Sequence, residues 1–206
     1  MGFGAASEDD SRAAPVGSER TQKKVLRREE SGCSWKSLLK KSEYFSKDIR
    51  EFLYLLHRHT VHYLIVGGEA TIFYGHTRLT GDIDLLYEVS PENVKRLFDV
   101  LNDFWKGNIP GIGGTKELGE KGSIFQMGIP PNRIDLITEI EAVDFRSAWE
   151  KKKTETIAFG TKKYAIYYIG IVDLIRNKRA VSRDKDKDDL RFLLSIRKRE
   201  KKLRKQ

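Results

Sequence analysis

Tyr63-Leu64-Ile65-Val66-Gly67-Gly68-Glu69-Ala70, running on to Tyr74-Gly75 and then, after six further residues, to Asp82-Ile83-Asp84-Leu85-Leu86-Tyr87, decides the fold. A short apolar run ended by two glycines reads as a buried strand entering a tight turn. Residues 69–74 form a short helix closed by Gly75 as its cap. Asp82 to Tyr87 is a second strand. Strand, turn, helix, strand in that order is the opening of an α/β domain with helices packed on a sheet.

Upstream, Trp35, Leu38 and Leu39 begin a helical spacing that Ile49, Phe52, Leu53, Leu55 and Leu56 carry to about Arg58. Downstream, Ser90-Pro91-Glu92-Asn93 has the cap, the first-turn proline and the acid of a helix start. Val94, Leu97, Phe98, Leu101 and Phe104 then share one face. Residues 106–122 are glycine-rich and read as a loop or loose hairpin. Two strands follow over 123–129 and 133–138, separated by Pro130-Pro131-Asn132. A helix through Phe145 and Trp149, strands over 154–158 and 164–168, and helices over 171–180 and 185–202 complete the chain. The expectation is α/β, with a short mixed sheet flanked by helices and a C-terminal helical cap.

Composition narrows the function classes. The chain has 206 residues, 39% of them hydrophobic, enough for one domain with a real core. No window approaches the ~18 consecutive apolar residues of a membrane span, so no membrane partner is expected. The single cysteine, Cys33, excludes a disulfide framework and a multi-cysteine zinc site. It fits a reducing compartment, and the N-terminus lacks a secretory pattern, so the expected location is cytoplasmic. Residues 1–35 show no period and read as a disordered tail. The net charge is +9. From Arg176 to Gln206 there are fourteen Lys/Arg and five Asp/Glu, so the whole excess sits at the C-terminal end, while the preceding 175 residues carry 25 of each sign. Such a block suits a polyanion or is a solvated helix face.

Three features break local rules. Strands disfavour Asp, yet Asp82 and Asp84 sit two apart on one strand and so share a face, where they repel each other. Asp135 interrupts the apolar strand Ile134-Asp135-Leu136-Ile137. A strand beside Asp82 and Asp84 gathers three carboxylates, the ligand set for divalent ions that clamp an in-line phosphoryl displacement. The Gly67-Gly68 turn at a helix start admits a triphosphate to backbone N–H groups. Arg78 and Thr80 add a cation and a hydroxyl just before the acidic strand, and Glu69 places a carboxylate next to the glycines. Each feature alone has a structural explanation; one site explains all of them.

These residues, Val66-Gly67-Gly68-Glu69-Ala70, Tyr74-Gly75, Arg78, Thr80 and Asp82-Ile83-Asp84-Leu85, resemble the signature of the DNA polymerase beta-like nucleotidyltransferase superfamily. The chain looks like its small bacterial branch, the minimal nucleotidyltransferases and abortive-infection toxins of the AbiEii type. Lys178, Arg183, Lys185-Asp186 and Asp189-Leu190 are similar to the element that closes many of those proteins. The resemblance covers about residues 44–195. It implies a nucleotidyltransferase core over 36–170 and a helical basic segment over 171–206. It also implies magnesium or manganese as cofactor, and transfer of a nucleoside monophosphate from an NTP to a hydroxyl acceptor. Gly67 and Gly68 would hold the triphosphate, and Asp82 and Asp84 the metal ions. Asp135 would bind the second ion and serve as the candidate base, with Arg78, Thr80, Lys178, Arg183 and Lys185 toward the nucleotide. Lys178, Arg183 and Lys185 read equally as helix charges paired with Asp186 and Asp189.

A toxin of this kind acts on tRNA or protein and implies an antitoxin partner. A second reading keeps the chemistry on a small aminoglycoside- or lincosamide-type acceptor. A third is a non-catalytic relative that binds nucleic acid. His62 and His76 read as packing residues, Tyr164, Tyr167 and Tyr168 as sheet residues rather than base-stacking ones, and Cys33 has no histidine neighbour to make it a nucleophile.

Overall fold

The glycine-ended apolar run sits at the centre of the sheet. In a computed structural model, which describes residues 44–203, β1 (Tyr63–Ile65) is fully buried and pairs antiparallel with β2 (Asp82–Tyr87). Between them α2 (Gly67–Phe73) begins on the glycine pair itself, two residues earlier than the sequence suggests, and Gly67 takes the positive φ of 61° that the turn into it requires. Gly75 follows the cap residue Tyr74 and bonds back to the Ile72 carbonyl at 2.8 Å. The tail 1–35, with Cys33 and Trp35, lies outside the described residues, as do Leu38 and Leu39.

β3 (Ile124–Met127) and β4 (Arg133–Ile137) extend one side of the sheet, β5 (Lys153–Phe159) and β6 (Lys162–Tyr168) the other. The strand order is β3-β4-β2-β1-β6-β5. β2 pairs parallel with β4, and β1 parallel with β6, so the sheet is mixed as expected. Parallel neighbours need a long crossover. The β2–β4 connection supplies it through α3 (Pro91–Trp105), the short α4 (Thr115–Leu118) and β3.

α3 starts where its sequence says. The Ser90 hydroxyl accepts from the Asn93 N–H at 3.3 Å, a cap worth about 1 kcal/mol. Leu97 and Leu101 recur one turn apart and are fully buried, each contributing roughly 1.5–3 kcal/mol by leaving water. α1 (Lys47–Arg58) packs its Phe52–Leu53–Leu56 stripe against α3 and the β5–β6 hairpin. Residues 106–122 are more ordered than a loose hairpin. Ile112 and Leu118 are buried, and the Leu118 carbonyl accepts the Tyr87 hydroxyl at 2.8 Å. Two apolar anchors among glycines are too few to show a period. α5 (Phe145–Glu150) precedes β5, and α6 (Ile171–Val181) and α7 (Asp184–Leu203) pack together as the C-terminal helical pair.

Tyr164 and Tyr168 are buried, Tyr164 donating to the Arg50 carbonyl at 2.6 Å. His62 stacks on Trp149 and bonds Glu88, while His76 meets the edge of Phe192. These are packing roles.

Candidate active site

Alternation along β2 and β4 fixes the site. Asp82 and Asp84 lie on one face of β2, while Ile83 and Leu85 point to the buried side. In the parallel register Asp84 is opposite Asp135 and Asp82 opposite Arg133. One strand spacing, about 4.8 Å, therefore separates the two backbones that carry the acids. β3 adds Gln126, the register partner of Asp135, on the same face. Asp135 is 5% exposed and belongs to an interior strand, so it is not a solvated edge residue.

Gly67 lies against this pair so closely that a Cβ there would stand 1.9 Å from Oδ2 of Asp84. A Cβ on Gly68 would meet the Thr80 hydroxyl at 3.0 Å and the Arg78 guanidinium at 3.1 Å. The glycines thus bring the turn, the carboxylates, Thr80 and Arg78 together. The Gly68 backbone N–H also favours the charged form of the Asp84 carboxyl. Thr80 donates to Oδ1 of Asp82 at 2.7 Å. All of these residues line one cleft of about 360 Å³.

Burial pushes the Asp84 carboxyl up to about 6, and the carboxylates of Asp82 and Asp135 push it the same way. The Lys178 charge and the Gly68 N–H pull back only in part. A site that raises a carboxylate in this way favours a cation.

The C-terminal motif separates into two groups. Lys178, 4% exposed, bonds Asp186 at 2.6 Å and Asp189 at 2.8 Å. Arg183 bonds the other oxygen of Asp186 at 2.7 Å, and Arg78 bonds Asp189 at 2.7 Å. Burial would raise the Asp186 carboxyl, but the hydrogen bonds from Lys178 and Arg183 bring it below its ordinary range. Lys178 and Arg183 are therefore tied down, and α7 is tied through Asp189 to Arg78. Lys185 also lines the cleft, is exposed, and has no ion-pair partner among the described residues.

Arg133 is the residue that sequence reasoning missed. Its Nε donates to Oδ1 of Asp135 at 2.8 Å and its Nη2 to Oδ2 at 3.1 Å; the same Nη2 donates to Asp82. Gln126 donates to Oδ2 of Asp135 at 3.0 Å. The signal was available, since Arg133 is two residues before Asp135 and must share its face.

The donor chemistry fits a hard divalent cation, with three carboxylates on one face of adjacent strands. As they stand, no three His, Cys, Asp or Glu side chains among the described residues gather around a common point. Glu69 lines a neighbouring hollow of about 380 Å³ that shares Arg78, Thr80 and Asp82 with the cleft. There its carboxylate accepts the Tyr44 hydroxyl at 3.1 Å.

A family model described as a nucleotidyltransferase of unknown function (DUF6036) matches residues 46–196. No curated protein matches the chain.

Proposed function

Because the chain belongs to this family of nucleotidyltransferases, we infer that it moves a nucleoside monophosphate from an NTP to an acceptor hydroxyl with release of pyrophosphate. The observation that carries this is the register pair Asp84–Asp135 with Gly67 pressed against Asp84. Asp82, Asp84 and Asp135 would hold magnesium or manganese, which when bound neutralises phosphate charge and polarises the reacting oxygens.

The chain's own residues supply the rest. Gly67 and Gly68 keep the floor of the cleft free of side chains. Arg78, oriented by Asp189, and the uncommitted Lys185 face the phosphates as cations. Asp135 takes the proton of the acceptor hydroxyl as its oxygen bonds to the α-phosphorus. The bond from that phosphorus to the β-phosphate oxygen breaks, and pyrophosphate leaves. Lys178 and Arg183 act on the site through Asp186 and Asp189 rather than by touching the nucleotide.

RNA is the acceptor class best supported. On the outer side of α6, Arg176, Arg179 and Arg197 line an open groove of about 490 Å³ between α6 and α7, in the segment that carries the charge excess. tRNA is the leading candidate, and a toxin acting on it in the cytoplasm, held by an antitoxin protein, is the biological form of this reading. A small hydroxylated acceptor is the second reading, favoured by the hollow beside Asp82 with its Glu69 carboxylate.

The test is incubation with each labelled NTP, magnesium, and separate pools of tRNA, protein and small hydroxylated compounds. Label carried into tRNA, and lost in Asp84→Ala, is the expected result. Label in small compounds alone selects the second reading. No transfer to any pool from any NTP would overturn the assignment.

A further inference from the structure

We propose that Arg133 is a built-in counter-ion of the carboxylate cluster, occupying the place between Asp82 and Asp135 that a divalent cation takes, and that its release opens the site. The inference rests on the metal-binding reading of Asp82, Asp84 and Asp135 given above, and names a residue that controls access to it.

Arg133 occupies the first position of β4, directly opposite Asp82 and two residues before Asp135. Its side chain therefore leaves the backbone on the carboxylate face and reaches both acids at once. Two nitrogens make two hydrogen bonds to Asp135 and one to Asp82. A guanidinium is a planar fork matched to carboxylates, and it stays charged throughout the accessible pH range. It thus satisfies the two acids that would otherwise bind an ion. Asp84, the third acid, is outside this fork.

Two cations cannot share that place. Either the ion is excluded, or Asp82 and Asp135 let go of the guanidinium. The surroundings allow the second. Arg133 follows the Pro130-Pro131-Asn132 turn at the rim of the sheet, and its side chain is 28% exposed, so it can swing into the cleft without crossing the core. Lys178 is different, since it is buried between two acids and has nowhere to go. A freed guanidinium at the cleft mouth is a bidentate phosphate ligand. Metal alone therefore has to displace Arg133 without compensation, whereas a metal–nucleotide complex brings a new anion for it. Such a site binds the complex well and the bare ion weakly.

Manganese binding followed by the EPR signal of the free ion tests this on the full chain, with Mn2+ alone and with ATP, CTP, GTP and UTP in turn. Arg133→Met, which keeps the stem and removes the charge, is expected to bind Mn2+ alone at least tenfold tighter than wild type. Arg133→Lys, which keeps a charge but loses the fork, should fall between them. An Arg133→Met protein that melts cooperatively and binds Mn2+ alone no tighter than wild type overturns the proposal.

A second measurement is read on wild type, in case the methionine variant does not fold. The 15N–1H resonance of Arg133 Nε, assigned by its loss in Arg133→Lys, should shift when Mg2+ and a bound nucleotide are added together. A resonance that stays in place while the complex binds means a fixed brace and overturns the proposal, leaving the metal-site reading intact. If wild type and variant bind no Mn2+ with any nucleotide, the metal-site reading itself falls, and this inference with it.

Discussion

Asp84 and Asp135 face each other as register partners on parallel strands; Arg133 holds Asp135, while Lys178, whose charge reaches Asp84, is shared between Asp186 and Asp189. Asp84 is left with the least compensation, and its carboxyl rises from 3.8 to about 6. Between those values the native state binds more protons than the unfolded one, so stability falls as pH rises through that window. A displacement of this size corresponds to about 3 kcal/mol. The metal-free protein should therefore lose urea resistance between about pH 4 and pH 6 and level off above. Asp84→Asn should flatten that fall and be at least as stable as wild type at pH 7. Equal pH profiles for the two proteins would contradict the account.

The ion network behind the cleft has the opposite character. Asp186 and Asp189 are 0% and 1% exposed, and Lys178 lies between them. Asp189→Ala removes one partner of a buried ammonium and the only recorded ion-pair partner of Arg78 among the described residues. Breaking such a pair costs about 3–5 kcal/mol. Chemical denaturation should show a loss of that order, and NTP affinity should fall because Arg78 loses its orientation. A loss below about 1 kcal/mol would mean that the network is solvated and contributes little.

Gly67→Ala combines a backbone cost with a collision. The position has φ 61°, and the new Cβ would meet Asp84 at 1.9 Å. Gly160 has φ 60° with nothing within 4 Å of its Cβ position, which makes Gly160→Ala the control for the backbone cost alone, about 1–2 kcal/mol. Gly67→Ala should cost more than the control and weaken manganese–nucleotide binding, while Gly160→Ala leaves that binding unchanged. If the two melt alike and bind alike, Gly67 is a turn glycine only.

The sequence foretold the fold where one pattern ruled a segment. The alternation in Asp82-Ile83-Asp84 and the Ser90-Pro91 start are local signals, and both strand and helix began where they pointed. The 106–122 segment was legible only in part, since its order comes from Leu118 reaching Tyr87 across the fold. The three aspartates broke strand rules and so stood out. The partners of Lys178, Asp186 and Asp189, lie eight and eleven residues on in the next helix; the sequence offered them, but surface pairing and phosphate binding looked alike until burial separated them. Arg133 was overlooked because an arginine at a strand start breaks no rule.

Lys185 is the cleft cation with no ion-pair partner among the described residues, and this predicts a clean separation of binding from stability. Lys185→Ala should melt within about 0.5 kcal/mol of wild type, as an exposed substitution does, and should bind NTP roughly tenfold more weakly, as loss of one charge-assisted phosphate contact implies. Lys187→Ala, on the same helix but paired with Asp184 away from the cleft, serves as the comparison. Isothermal titration with each NTP reads both. Equal affinities in the two variants would remove Lys185 from the nucleotide site.

The acceptor prediction rests on salt. If Arg176, Arg179 and Arg197 take RNA phosphates in the groove between α6 and α7, RNA affinity should fall linearly on a log–log plot against salt. The slope should be about −0.7 per single-strand phosphate contacted. Arg179→Ala and Arg197→Ala together should lessen the slope by roughly 1.4 and weaken binding across sequences alike. NTP affinity should be untouched, because these side chains are on the side of α6 away from Asn177, Lys178 and Val181, which line the cleft. Arg176 already bonds Asp173 at 2.7 Å, so Arg176→Ala should contribute less than either of the others. An unchanged slope in the double variant, with modification of a small acceptor proceeding normally, would shift the assignment to the small-molecule reading and to the hollow beside Glu69.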